Sequence, residues 1–141
     1  MTEFKRSWYN VCIYIYYMVS RRKILIIDND FLLPLLCKSK LEINGGFDVD
    51  VKISMNEAIQ YIARAEPDLI LLSANISDVY GLDALKLLKN GPAAGVKIII
   101  LSCGKYAEEF EYLQNGAAAV IDIFENSLDS LVERVKEEIS R

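Results

Sequence analysis

From Lys23 onward, five short apolar runs alternate with five amphipathic segments, and this alternation constrains the fold more than any single motif does. Lys23 to Asp28 (KILIID) is a continuous β-rich run, and Phe31 to Ile43 (FLLPLLCKSKLEI) is the helix after it. Pro34 is tolerable there only because it lies near the first turn. Gly45 and Gly46 stop that helix. Phe47 to Ile53 (FDVDVKI) alternates Phe47, Val49, Val51 and Ile53 with polar residues, the pattern of a half-buried strand near a sheet edge. Ser54 opens the next helix with Glu57 three residues on, a capping box.

Asp68 to Ser73 (DLILLS) and Val96 to Ser102 (VKIIILS) are apolar on both faces, which makes them central strands. Between them, Gly81 to Gly91 (GLDALKLLKNG) places Leu82, Leu85 and Leu88 on one helical stripe. A further helix ends at Gly116, Ala118 to Ile123 (AAVIDI) is the fifth strand, and Asn126 or Ser127 caps the last helix. Alternation of this kind predicts an α/β fold: a parallel sheet with helices on both faces. Ligands and chemistry in such sheets sit at the carboxyl ends of the strands. Those ends supply Asp28, Asn29 and Asp30; Ser73, Ala74 and Asn75; Ser102 and Cys103; and Asp122 and Ile123.

The 141 residues correspond to one domain, residues 23–141, preceded by an extension over residues 1–22. With 52% hydrophobic and 26% charged residues the chain is built to bury a core. Its net charge of −4 is uneven. Residues 1–22 carry Lys5, Arg6, Arg21 and Arg22 against Glu3, a net +3, whereas the 12 basic and 19 acidic residues of the remainder leave −7. An acidic body argues against nonspecific nucleic-acid binding, since phosphates are repelled over much of the surface.

Cys12, Cys37 and Cys103 are an odd number without metal-ligand spacing, which reads as reduced thiols in a cytoplasmic protein. Of these, Cys103 stands near the strand ends, where a redox-sensitive thiol is the sharper reading and an ordinary thiol the plainer one. The absence of histidine removes His-assisted nucleophilic catalysis, His metal sites and a phosphohistidine carrier role. "DNDFLLP" after the first strand contains no glycine, so both the dinucleotide and the P-loop fingerprints are missing, and a non-enzymatic protein is expected. The aromatic run Trp8 to Val19 is too short to span a bilayer. It reads as an extra strand, an interfacial segment or a disordered stretch, or as sequence ahead of a true start at Met18.

Together these pieces resemble the receiver domain of two-component response regulators. "KILIIDND" is similar to that family's first strand and acidic cluster, "PDLILLS…D.YGLDALKLLK" to its third strand, loop and helix, "VKIIILS" to its fourth strand, and "LQNGAAAVI" to the turn into its fifth. The resemblance implies a flavodoxin-like doubly wound five-stranded parallel sheet of order 2-1-3-4-5. It also implies a chemistry: phosphoryl transfer from a kinase phosphohistidine to an aspartate ending the third strand. Mg²⁺ would be held by the acidic cluster, that aspartate and a nearby backbone carbonyl, with a switch hydroxyl on the fourth strand and a lysine on the fifth.

Carried over by position, Asp28 fits the first acidic ligand, the backbone of Asn75 the carbonyl, and Ser102 the switch hydroxyl. Asn29 occupies the second acidic position and Ser73 the acceptor position. Ile123 stands in place of the lysine, Phe124 in place of the proline after it, and Val120 in place of the aromatic switch residue. A serine hydroxyl needs a general base, and Asp28 is the only helper within the set. Asp28, Asp30 and Asn75 make at most a weak Mg²⁺ site; Asp30 is alternatively the N-cap of the helix starting at Phe31.

These departures suggest a pseudo-receiver: a phosphorylation-independent protein–protein interaction module in phosphorelay signalling. The fourth and fifth helices with the fifth strand, carrying Glu108, Glu109, Glu111, Glu133, Glu137 and Glu138, are its expected partner face, with a homodimer open and a membrane role not expected. One alternative is a receiver phosphorylated at Asp78 or Ser73. Another is an anti-sigma-factor antagonist, because "SDVYGLDALKLL" is similar to the Asp-Ser-Ser-Gly-Leu segment of that family, with Val79 at its serine. Since the sequence closes soon after the fifth helix of the alternation, either a separate protein carries the output or the chain is part of a longer one.

Overall fold

The computed structural model describes residues 2–76, 78–102 and 109–141, with residues 18 and 19 as backbone alone. The elements run α1 (Glu3–Ser20), β1 (Lys23–Ile27), α2 (Leu33–Gly45), β2 (Asp48–Lys52), α3 (Met55–Ala65), β3 (Leu69–Ser73), α4 (Gly81–Lys89), β4 (Lys97–Ser102), α5 (Glu109–Gln114), β5 (Ala119–Asp122) and α6 (Leu128–Ser140). The five strands form one parallel sheet of order β2-β1-β3-β4-β5, the expected topology.

Alternating strand residues feed two cores. Leu25, Ile27, Ile70, Leu72, Ile98 and Ile100 pack against α3, α4 and α5 through Ala58, Ile62, Leu85, Leu88 and Tyr112. Ile24, Ile26, Leu69, Leu71, Ile99 and Leu101 pack against α2 and α6 through Cys37, Leu41, Leu131, Val132 and Val135. Every residue of β3 is buried, as expected for a central strand, and the polar alternation of β2 matches its place at the edge. Burial pushes the Cys37 thiol up to about 11, so it is an inert core thiol.

Helix boundaries follow local chemistry. The Ser54 hydroxyl accepts from the Glu57 N–H at 3.2 Å, while the Glu57 carboxylate reaches back to Ile53. Ser127 caps α6 by accepting from the Ser130 N–H at 3.1 Å. Gly46, at φ +69°, closes α2 in the left-handed region that glycine favours.

Two expectations are corrected. The aromatic extension adds no strand to the sheet: residues 3–20 form α1, capped by the Thr2 hydroxyl. Phe4, Trp8, Val11 and Ile15 recur at the three-to-four spacing of a helical face, and this outweighs the β preference of its tyrosines and isoleucines. Nor does Asp30 cap α2. That helix begins at Leu33, with Leu32 at the cap position and Pro34 in its first turn, and the Asp30 carboxylate accepts from its neighbour Phe31.

Candidate functional site

Parallel register brings the strand ends level. Ile27 lies beside Leu72, Ser73 beside Leu101, and Ser102 beside Asp122. Asp28 and Ser73, each one residue further along, therefore meet at the carboxyl edge. They form the floor of a cleft of about 390 Å³ lined by Asp28, Asn29, Asp30, Phe31, Leu33, Ser73, Asn75, Leu101 and Ile123. Most of the residues picked out from sequence are thus gathered in one place.

Asp28 is 4% exposed, and its Oδ1 accepts from the Asp30 N–H at 2.9 Å. Burial raises its pKa above the ordinary carboxylate range, and the nearby Asp30 charge adds to this; the bonds from the Asp30 N–H and the Ser73 hydroxyl oppose it. The Ser73 oxygen in turn accepts from the Asn75 N–H at 3.2 Å, a local turn that fixes the start of the loop.

Asn29 lines the cleft as a neutral amide, and Ile123 gives it an apolar wall where the family resemblance expects a cation. Ser102 is buried at the end of β4, and its carbonyl accepts from the Ile123 N–H at 3.0 Å. It is not among the described residues lining the cleft. Val120 is half-buried and instead lines a groove of about 460 Å³ beside α6, with Asp129, Glu133, Arg134 and Glu137. Cys103 and Glu108 lie outside the described residues.

Two roles escaped sequence reasoning. Asp78 caps a helix distant in sequence, its Oδ2 accepting from the Met55 N–H at 3.1 Å at the start of α3. Asp122 shapes the turn after β5, accepting from the Phe124 N–H at 2.8 Å and so holding Phe124 out, 78% exposed. The first contact leaves no local trace in sequence; the Asp-x-Phe spacing could have suggested the second.

As a cation site the cleft is poorly furnished. Its oxygen-bearing lining is Asp28, whose ionisation burial disfavours, with Asp30, Ser73 and the amides Asn29 and Asn75. A hard divalent ion prefers ionised carboxylates and several oxygens. This donor set therefore fits Mg²⁺ poorly.

The raised Asp28 pKa sets a pH dependence. Ionisation is resisted in the folded state more than in the unfolded one, so this group's penalty is absent below the unfolded value near 3.8 and grows as pH rises through the folded one. Asp28→Asn is expected to raise the thermal midpoint at pH 7 and leave it unchanged near pH 3, as read by circular-dichroism melts across pH.

A model of the response regulator receiver domain matches residues 24–135. The chain is 30% identical over 122 residues to a nitrate/nitrite response regulator protein homolog of Haemophilus influenzae, a match covering 84% of this chain and 57% of that protein. It is also 30% identical over 118 residues to protein-glutamate methylesterase/protein-glutamine glutaminase 3 of Rhodospirillum rubrum, covering 83% of this chain and 32% of that one. The chain thus spans little more than half of the first relative and a third of the second. Among solved structures, the receiver domain of Francisella response regulator 1452 aligns with a TM-score of 0.77 at 26% identity, covering 86% of this chain and 98% of that one. A CheY-like receiver domain protein of Methanospirillum hungatei aligns with a TM-score of 0.77 at 25% identity, covering 86% and 95%.

Proposed function

This chain belongs to the response regulator receiver family, and from that premise we propose that it is a pseudo-receiver: a phosphorylation-independent interaction module of two-component signalling. The observation that carries the reading is the pairing at the cleft floor. Where the family has an acceptor carboxylate facing a lysine, here Ser73 stands beside a buried Asp28 at the ends of paired strands, and Ile123 lines the same cleft. A transferring phosphoryl group needs positive charge placed in advance, and this cleft offers carboxylates and aliphatic carbon.

On this reading the protein is not an enzyme and needs no cofactor, Mg²⁺ binding being weak at most. It acts in the cytoplasm through a separate signalling protein. The partner face is α5, β5 and α6, the fourth and fifth helices of the alternation with the fifth strand. Supporting this are the exposed Phe110 and Leu113 beside Glu109 and Glu111, and the acidic groove along α6.

A second reading, phosphorylation of Ser73 itself, draws on the same neighbourhood, because Asp28 stands beside Ser73 where a general base would. Phosphorylation of Asp78 has less support, since its carboxylate is engaged at the start of α3. Both readings are tested by incubation with acetyl phosphate, or with beryllofluoride and Mg²⁺. The expected result is no covalent mass increase and no chemical-shift change around Ser73 and Ser102. A phosphoryl mass increase that disappears in Ser73→Ala would establish the second reading instead.

A further inference from the structure

Among the described residues, two exposed apolar surfaces remain, and their chemistries match. The first is α1. Phe4, Trp8, Val11 and Ile15 form a stripe along it, Phe4 and Trp8 pack edge to face at 6.1 Å between centroids, and Lys5 stands one turn from Trp8 on the same side. Phe4 is 71% and Trp8 56% exposed. The helix has neither alanine nor leucine and is rich in aromatic and β-branched residues, so its intrinsic helical stability is low and a covering surface is required.

The second surface adjoins the cleft. Leu33, Leu36, Ile121, Ile123, Leu128 and Leu131, with Asn126 and Ser127, line a mainly apolar pocket of about 190 Å³. A cavity of roughly 150 Å³ with similar walls holds a benzene ring. Leu33 and Ile123 line both this pocket and the cleft, so an aromatic-sized hollow lies directly beside Asp28 and Asp30. Phe31, which lines the cleft, and Phe124, next to Ile123 in the chain, are also exposed.

We propose that α1 of a second copy seats its first turns here, one ring of the Phe4–Trp8 pair filling the apolar pocket, the other lying over its exposed mouth, and Lys5 reaching the Asp28–Asp30 carboxylates. A chain's own α1 leaves from the other edge of the sheet: Arg21 Nε donates to the Gly46 carbonyl at 3.0 Å and Arg22 pairs with Asp68 at 3.5 Å, anchoring the junction of α1 and β1 there. Reciprocal exchange closes a two-fold dimer. Charge selects the match, since the extension is basic and the cleft acidic. This rests on the pseudo-receiver reading, in that Lys5 supplies from another chain the cation that Ile123 has removed.

The test is sedimentation of the full chain over a concentration series, with emission from Trp8, the sole tryptophan, read in parallel. A dimer is expected, with Trp8 emission moving to the blue as it forms. Lys5→Glu and Asp30→Lys each weaken it at least tenfold, the pair together recovers most of that loss, and Leu36→Asp abolishes it. Circular dichroism keeps folding separate from association. A chain that is monomeric throughout overturns the proposal, as does a Trp8 shift obtained only with phosphatidylglycerol vesicles. A dimer indifferent to Asp30→Lys and Leu36→Asp overturns it in favour of pairing between two α1 helices. Any of these results beside an inert response to beryllofluoride leaves the pseudo-receiver reading standing; a beryllofluoride response removes that reading whatever the oligomeric state.

Discussion

The triple variant Asn29→Asp, Ser73→Asp, Ile123→Lys is expected to take up beryllofluoride with Mg²⁺ and to gain a phosphoryl mass from acetyl phosphate under conditions where the native chain does neither. Each change restores one physical requirement. Asp at position 73 supplies an acceptor that needs no general base, and Asp at 29 adds an ionised oxygen to a donor set too poor for a hard cation. Lys at 123 runs its stem along the aliphatic wall shared with Leu33 and brings its charge into the cleft. A charge-assisted contact is worth about 1.5–3 kcal/mol, so two of them amount to roughly 10²- to 10⁴-fold in affinity. Ser73→Asp alone is expected to stay inert and to destabilise the chain, because it sets a second carboxylate against an Asp28 whose charge is already disfavoured. Mass spectrometry and titration calorimetry read both results. An inert triple variant would move the block to the remaining departures, Phe124 foremost.

What the sequence revealed and what it hid divide along a physical line. The sheet was legible because a buried parallel strand must be apolar on both faces and a strand edge must not, which separates Leu69–Ser73 from Asp48–Lys52 without any tertiary information. The carboxyl-edge site was legible because topology alone gathers Asp28, Ser73 and Ile123 there. Contacts between residues distant in sequence were hidden. Asp78 reads as an available loop carboxylate until Met55 is seen beside it. In α1, strand-forming residue types stand at helical spacing, so composition and spacing point to different structures. At Asp30 a capping residue stands two positions too early, since the helix begins only at Leu33 with Pro34 beside it. The apolar pocket beside the cleft needs α2, β5 and α6 at once, so each of its leucines reads locally as ordinary core.

Gly81→Ala is expected to destabilise the chain by about 3 kcal/mol, at the upper end of what overpacking costs. In sequence this glycine reads only as the start of a helix. In the fold, a Cβ there would stand 2.5 Å from the Tyr112 hydroxyl, 2.6 Å from the Ala74 carbonyl oxygen and 3.0 Å from the Ala74 Cα. Two of these three atoms are backbone and cannot rotate aside, so α4 must move away from the end of β3. The hydroxyl contact can be removed separately, which makes the argument testable by a double-mutant cycle. Tyr112→Phe in the Gly81→Ala background is expected to recover less than half of the loss, because the Ala74 contacts persist. Urea unfolding of the four proteins measures this, with Gly81→Ala lowering the thermal midpoint by roughly 10 °C. Full recovery by Tyr112→Phe would mean that the hydroxyl alone sets the spacing and that the backbone at Ala74 yields. The same displacement would act on the candidate site, since Ala74 lies between Ser73 and Asn75 and its N–H bonds the Leu101 carbonyl at 2.9 Å. Gly81→Ala is therefore expected to perturb the Ser73 and Asn75 amide resonances even at temperatures where the chain remains folded.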